Sequence, residues 1–428
     1  MKEPWLPVER LSDNAFARIR RRAIFDCCKW DPQVEDTSTI ARFPIVLTRT
    51  AWRELRTLAE ALARETLAAE AELVGRPDLH GGLGLPPAIT GPMRAGADAP
   101  ARGVARLIRF DFHATDDGWR ISEANTDVPG GLNEASGLAP LMVSHVAAAT
   151  LTGDPAGEYA RCLARALPVA PHVALTHATA YTDDRQVMMY VGRRLAEQGV
   201  RTSLVSPGHL RWRDGRAHLE TDWARGPVDA VVRFFPAEWL SNLPSSCGWT
   251  SFFHGASTPV SNPGAALLTQ SKRFPLVWDA LRTPLPTWRA LLPETRDPRD
   301  AVLRGGDDWV LKPALGRVGE DIAVPGVTGP KDRARIARAA ARHPGQWVAQ
   351  RRFVPTALRA DGAELYPCFG VYTVDDRVAG VYGRAGRRAL IDGQAVDVAV
   401  MVVAAEEERR AGDAITWSTP ETTLERSA

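Results

Sequence analysis

Long hydrophobic runs, paired cysteines and an excess of either charge are all missing from these 428 residues. The apolar stretch near the end, Ala395 to Ala405, is broken by Asp397 and too short to cross a bilayer. The five cysteines (Cys27, Cys28, Cys162, Cys247 and Cys368) are an odd number without C-x-x-C spacing. That argues against both a disulfide framework and a thiolate zinc site. Adjacent Cys27 and Cys28 suit small buried thiols better than a redox pair. Lys and Arg number 53 against 51 Asp and Glu, a formal net charge of +2. Such balance sets up no field for nucleic acid or a membrane surface. The start, Met1-Lys2-Glu3-Pro4-Trp5, lacks the basic-then-apolar layout of a signal peptide. A reducing, cytoplasmic setting is the expectation.

What is present is a folded composition, 45% apolar and 24% charged, in a chain long enough for two or three domains. Ala51 to Val74 is rich in Ala, Leu, Glu and Arg, with Leu55, Leu58, Leu62 and Leu67 spaced for one helix face. Gly81 to Pro100 reads as a loop or the entry to a new unit. Leu107 to His113 and Trp119 to Asn125 alternate around Asp116-Asp117-Gly118 and predict a hairpin. From about Pro168 a strand–helix–strand order predicts a small open α/β unit over 168–262, including strands at Val173–Thr176, Arg201–Val205 and Val228–Phe235. Within it, Leu210 to Leu219 reads as a hairpin centred on Asp214-Gly215. Residues 263–403 follow with a helix from Lys272 to Leu281 and strands at Trp309–Lys312, Trp347–Arg351, Cys368–Val374, Arg377–Tyr382 and Val396–Val403. The polar residues 404–428 read as a tail. The segments are thus 1–167, 168–262, 263–403 and 404–428.

The hairpin at 107–125 carries the first chemical constellation, Arg109-x-Asp111 and Glu123-x-Asn125. Residues two apart on a strand share a face. One antiparallel register pairs Arg109 with Asn125 and Asp111 with Glu123, gathering two carboxylates, an amide oxygen and a guanidinium. Paired carboxylates repel unless a cation lies between them, and hard oxygen donors suit Mg²⁺. The same spacing also suits a solvated hairpin face with Arg109 paired to Asp111 or Glu123. Further on, Lys312-Pro-Ala-Leu-Gly316-Arg317-Val-Gly319 follows a strand, and its glycines and cations suit phosphate. It matches neither the Walker nor the dinucleotide pattern. Lys272 in Gln270-Ser271-Lys272-Arg273 and Arg384 in Gly383-Arg384-Ala-Gly386 are unremarkable singly.

In order and spacing, these motifs resemble the glutathionylspermidine synthase family over about residues 20–403. The resemblance implies an α/β (α+β) ATP-grasp fold, circularly permuted, with an inserted small open α/β (pre-ATP-grasp-like) domain at 168–262. The N-terminal segment would then supply the metal hairpin and 263–403 the nucleotide-binding region. It implies Mg²⁺ on Asp111, Glu123 and Asn125, with Arg109 and Arg384 as catalytic residues at the transferred phosphate. ATP would contact Lys272, Lys312, the loop of Gly316, Arg317 and Gly319, and Gln350. Phe235-Pro-Ala-Glu238-Trp239 resembles the family's Tyr-Pro-Trp-Glu-Trp segment. Glu238 is therefore a substrate-side candidate for a cationic amine, a helix-start carboxylate being the plainer alternative. Asp127, in Asn125-Thr-Asp127-Val-Pro-Gly-Gly131, is a second one, although this stretch departs from the family's small hydroxylated residues and puts glutathione itself in doubt. No amidase domain of the bifunctional synthetases is expected.

The implied activity is ATP-dependent amide formation between a small-molecule or peptide carboxylate and an amine, through an acyl phosphate, with ATP and Mg²⁺ and without nucleic acid or membrane. The alternatives are a kinase acting on a small acid and a non-catalytic nucleotide-binding partner protein.

Overall fold

The computed structural model describes residues 3–7, 10–31, 33–34, 37–96, 104–254, 256–302, 308–316 and 319–404. Arg317 and the expected tail beyond Ala404 lie outside the described residues.

A largely antiparallel sheet organises the molecule, running in the order Val396–Val398, Arg377–Gly386, Ala363–Val374, Leu107–Thr115 and Gly118–Asn125, with Leu358–Ala360 added to Ala363–Val374. Strict alternation gives it two faces. Phe110, Phe112, Phe369, Val371 and Val381 are buried on one face, in the same apolar core as Leu55, Ala59, Leu62 and Ala63 of helix Arg49–Val74. Thr48 caps that helix by accepting from the Ala51 N–H at 3.1 Å. Trp288 and Trp119 close the core edge-on against Phe110 and Phe369, with centroids 6.1 and 5.8 Å apart. The opposite face carries Arg109, Asp111, Glu123, Asn125, Tyr382 and Arg384, and these line a cleft.

The expected α/β unit forms a four-stranded parallel sheet, ordered Val260–Ser261, Ala230–Phe234, His172–His177 and Arg201–Val205. Helix Thr182–Ala196 buries Val187, Val191 and Leu195 in the core that also holds Val173, Leu175 and Val232. Arg213 pairs with Arg216 around Asp214-Gly215, both at positive φ, so the hairpin expected there forms. A third sheet, Thr295–Arg296, Trp347–Arg351 and Trp309–Pro313, is antiparallel. Helix Pro330–Arg342 packs behind it through Ile336 and Ala340 against Trp347.

Three expectations change. The stretch expected as a loop at 81–100 is helical over Pro77–Leu83 and Pro87–Ala95 among its described residues. Proline opens both segments where an N–H has no helical partner, and Ile89 and Met93, one turn apart, are buried. The expected helix Lys272–Leu281 is instead helix Leu267–Gln270, ending before Lys272, followed by a tight 3₁₀ segment, Phe274–Ala280. The expected strand 396–403 is two strands. Val396–Val398 stays in the central sheet, and Val400–Val403 runs beside Ile45–Leu47 in another. The change falls at Ala399, whose carbonyl accepts the Ile45 N–H at 2.8 Å.

Candidate functional site

The hairpin at 107–125 has the expected pairing at its chemical end, Arg109 opposite Asn125 and Asp111 opposite Glu123. It does not keep one register to the turn. Phe112 pairs with Ile121, so Ser122 is an extra, unpaired residue. This bulge turns the Ser122 carbonyl to accept from Lys312 Nζ at 3.1 Å. One inserted residue thus ties the hairpin to the facing sheet.

The face is buried rather than solvated. Asp111 is 8% exposed and is gripped by Arg109 through Nε at 2.7 Å and Nη2 at 2.9 Å. Asn125 Nδ2 donates to Asp111 Oδ2 at 3.2 Å. Glu123 pairs with Lys272 Nζ at 2.9 Å, and that ammonium also donates to the Gly316 carbonyl at 3.0 Å. Burial works against Glu123 ionising, but Lys272, Lys312 and Arg109 outweigh it and bring its pKa down to about 2. Room for the guanidinium is built into the neighbouring strand. A Cβ on Gly370, opposite Asp111, would come within 2.7 Å of Arg109 Cδ. Asp111, Glu123 and the Asn125 amide oxygen are hard donors from facing strands, a set that fits Mg²⁺.

Lys312 emerges from strand Trp309–Pro313 and donates to Gln350 Oε1 at 2.7 Å, while Gln350 Nε2 donates to Thr295 at 3.2 Å. With no carboxylate of the described residues in direct contact, burial lowers the ammonium's pKa to about 8, Glu123 opposing and Lys272 assisting. His113 is held neutral, its pKa lowered to about 4 by burial and by Lys312, and its ring centroid lies 5.3 Å from that of Phe353 with the planes tilted by 53°. Gly316 and Gly319 line the cleft on the loop side. Arg384 donates through Nη2 to the Asp392 carbonyl at 2.8 Å, and its buried Nε–H has no partner among the described residues.

A cleft of about 760 Å³ joins these groups. It brings together every described candidate from the sequence: Arg109, Asp111, Glu123, Asn125, Asp127, Glu238, Lys272, Lys312, Gly316, Gly319, Gln350 and Arg384. Asp127 is only 2% exposed, and its carboxylate is held by Arg233 and by the Ala237 N–H at 3.0 Å. It ties the hairpin exit to the parallel-sheet unit. Asn262 does the same, donating to the Leu107, Thr126 and Asp127 carbonyls at 2.7–3.0 Å.

Sequence reasoning missed the far end of the cleft. There Lys29, 7% exposed in its side chain, lies 2.9 Å from Glu134, 2.9 Å from Asp397 and 3.2 Å from Asp31. Tyr382 donates to Asp397 at 2.6 Å. Asp183 and Asp184 line the cleft here, and the rings of Tyr181 and Trp239 stand 5.9 Å apart beside Glu238. These residues come from six separate segments, and no local spacing joins them. The nearest signal was Asp397, a lone charge within an otherwise apolar run.

A hairpin with paired carboxylates on one sheet, facing a smaller antiparallel sheet with a lysine and a glycine loop across a cleft, is the arrangement of an ATP-grasp protein. The chain belongs to the family described as glutathionylspermidine synthase preATP-grasp, whose model matches residues 36–402. It is accordingly an ATP-binding enzyme of the ATP-grasp ligase type. Among solved structures, a glutathione synthetase-like effector from Globodera pallida superposes with a TM-score of 0.61 at 11% identity. That match covers 92% of this chain and 98% of that one, and supports the fold. A putative gamma-glutamylcysteine synthetase from Methylobacillus flagellatus matches at 14% identity, 77% and 82% coverage and TM-score 0.40. A RimK-domain ATP-grasp protein from Sphaerobacter thermophilus matches at 17% identity, 54% and 90% coverage and TM-score 0.29. No curated protein sequence matches. No described helix is long and apolar enough to cross a membrane.

Proposed function

We propose that the protein joins a small-molecule or peptide carboxylate to an amine at the expense of ATP, through an acyl phosphate. The observation behind this reading is the convergence of Asp111, Glu123 and Asn125 on one sheet face, with Arg109, Lys272, Lys312 and Arg384 around them. A carboxylate is a poor electrophile, and phosphorylation gives it a leaving group. Arg109 and Arg384 would stabilise the phosphoryl group in transfer, while Lys272 and Lys312 hold the ATP phosphates. Mg²⁺ on Asp111, Glu123 and Asn125 would supply charge neutralisation at the phosphate oxygens. Gly316 and Gly319 lie on the loop that would exclude water from the acyl phosphate. Glu238, beside Trp239 and Tyr181, would attract the ammonium form of the amine. The free cysteines, five among the described residues, fit a reducing cytoplasm.

The test is ADP release from Mg-ATP with pools of peptides and amino acids, with and without diamines and polyamines. ADP formation that needs both acid and amine establishes the ligase. Turnover with acid alone and a stable phosphorylated product indicates a kinase, and absence of nucleotide binding refutes the reading.

A further inference from the structure

Directly past Arg109 and Tyr382, the cleft holds a buried group of like charges. Three carboxylates, Asp31, Glu134 and Asp397, share the single ammonium of Lys29 within 3.2 Å. Such a group carries surplus negative charge out of water, and one added proton relieves it. The three acids are not equivalent. Asp397 is engaged through both oxygens, by Lys29 at 2.9 Å and by the Tyr382 hydroxyl at 2.6 Å. Asp31 keeps a side chain 35% exposed. Glu134 is only 9% exposed in its side chain and is anchored by Lys29 on Oε1. Its buried Oε2 has no hydrogen-bond partner among the described residues.

Its place in the fold connects it to the proposed reaction. Glu134 stands in the first turn of helix Leu132–Met142, directly after Gly130 and Gly131, and lines the cleft. The Gly130 carbonyl accepts from Arg109 Nη1 at 2.6 Å and from the Tyr372 hydroxyl. The Arg109 guanidinium lies 5.5 Å above the Tyr382 ring. Gly131 makes this approach possible, because its φ is +84° and a Cβ there would meet Tyr382 at 2.5 Å.

We propose that Glu134 Oε2 is the base that takes the proton from the attacking amine. The proposal rests on the ligase reading above. Once the ammonium has given one proton to solvent, the neutral amine's lone pair forms the C–N bond to the acyl carbon, the C–O bond to phosphate breaks, and phosphate departs with that electron pair. The proton leaving nitrogen goes to Glu134 and later to solvent. Burial and the Asp397 charge raise the Glu134 pKa against the pull of Lys29, so the carboxylate is a better acceptor than a solvated one. The groups facing it are Lys29 and Asp397, the hydroxyls of Tyr372 and Tyr382, and the Cys27 thiol, with Asp31 sharing its lysine.

Two half-reactions separate this assignment from the ligase reading. Acyl-phosphate formation is followed by scrambling of bridge ¹⁸O in labelled ATP, with a pool of amino acids and small peptides and no amine. Amide formation is followed by mass spectrometry after adding 1,3-diaminopropane or hydroxylamine. In Glu134→Gln, which keeps the side-chain shape, scrambling is expected to persist. Amide formation with the diamine should fall about 10²-fold, and less with the weakly basic hydroxylamine. Unchanged amide formation overturns the assignment, as does an equal loss of scrambling in a folded variant. If Glu134→Gln does not fold, Glu134→Asp is read the same way. Wild-type protein that never scrambles the label overturns the ligase reading, and the assignment falls with it.

Discussion

The two ends of the cleft use similar residue types in opposite proportion. At one end Arg109, Lys272, Lys312 and Arg384 surround Asp111 and Glu123; at the other Asp31, Glu134, Asp183 and Asp397 surround Lys29. Electrostatics therefore polarises a single cavity. In the proposed reaction, phosphates would be drawn to the first end and ammonium groups to the second. At the phosphate end, Glu123 is ionised down to about pH 2, and Lys312 loses its proton near pH 8. At the far end, Glu134 and Asp183 are both pushed up by burial and neighbouring acids.

The largest effect is expected from removing the proposed metal ligand of the first end. Asp111→Ala should lower ADP formation about 10³-fold, roughly 4 kcal/mol of barrier. It would leave Arg109 buried beside Glu123. Isothermal titration should then show Mg-ATP binding weakened, while ATP without divalent metal binds as before. Equal loss for both forms would count against Asp111 as a ligand.

Breaking the far end should act on stability first. Lys29→Met strands three carboxylates, and removing one partner from a buried ion group typically costs about 3–5 kcal/mol. The pH dependence has a definite sign. The Glu134 pKa is already raised by burial and the Asp397 charge, and without Lys29 it is raised further above its unfolded value, so stability returns as pH falls towards 5. In the wild type, Lys29 is raised above its ordinary pKa, so its contribution holds throughout the neutral range and fades only at alkaline pH. Urea unfolding at pH 8 and pH 5 should show the gap between variant and wild type narrowing. A constant gap would mean the cluster is not coupled as described.

The ends also differ in how far they were legible. Arg109, Asp111, Glu123 and Asn125 lie within 17 residues on one hairpin, and period-2 alternation in the sequence is enough to assign them a shared face. Even there the bulge at Ser122 escaped, because an extra residue in one strand leaves no mark in the alternation. Lys272, Lys312, Gln350 and Arg384 lie on separate elements, and only the family resemblance joined them. Lys29, Glu134 and Asp183 had no such help, since each reads as an ordinary surface charge beside a helix end. The strand at 396–403 shows the same limit. Nothing in the run of valines says that Ala399 changes sheets, because that depends on Ile45, some 350 residues away.

A smaller effect should come from the rim. Glu238 sits beside the Tyr181–Trp239 pair, and a partly exposed charge is worth at most about 1 kcal/mol. Glu238→Gln should therefore raise KM for the amine about fivefold with kcat unchanged, the signature of uniform binding. A change in kcat alone would move Glu238 from capture to chemistry.

The finest distinction between the ends is a proton count. Lys312 has a folded pKa of about 8 and no carboxylate of the described residues in direct contact, so at pH 8 it is about half protonated in the free protein. A triphosphate beside it favours the ammonium and restores a pKa well above 8. Nucleotide binding at pH 8 should then take up roughly half a proton, and at pH 6, where Lys312 is already charged, close to none. Titrations in buffers of different ionisation enthalpy measure this directly. Lys312→Met should abolish the uptake and weaken the nucleotide about 10–100-fold. Its cost to folding should be small, because replacing a lone buried charge by an apolar side chain of similar volume removes a desolvation penalty. Lys29→Met changes the same residue type in the same way with the opposite outcome for stability. The contrast arises because Lys29 neutralises three acids, whereas Lys312 is held charged mainly by what binds next to it.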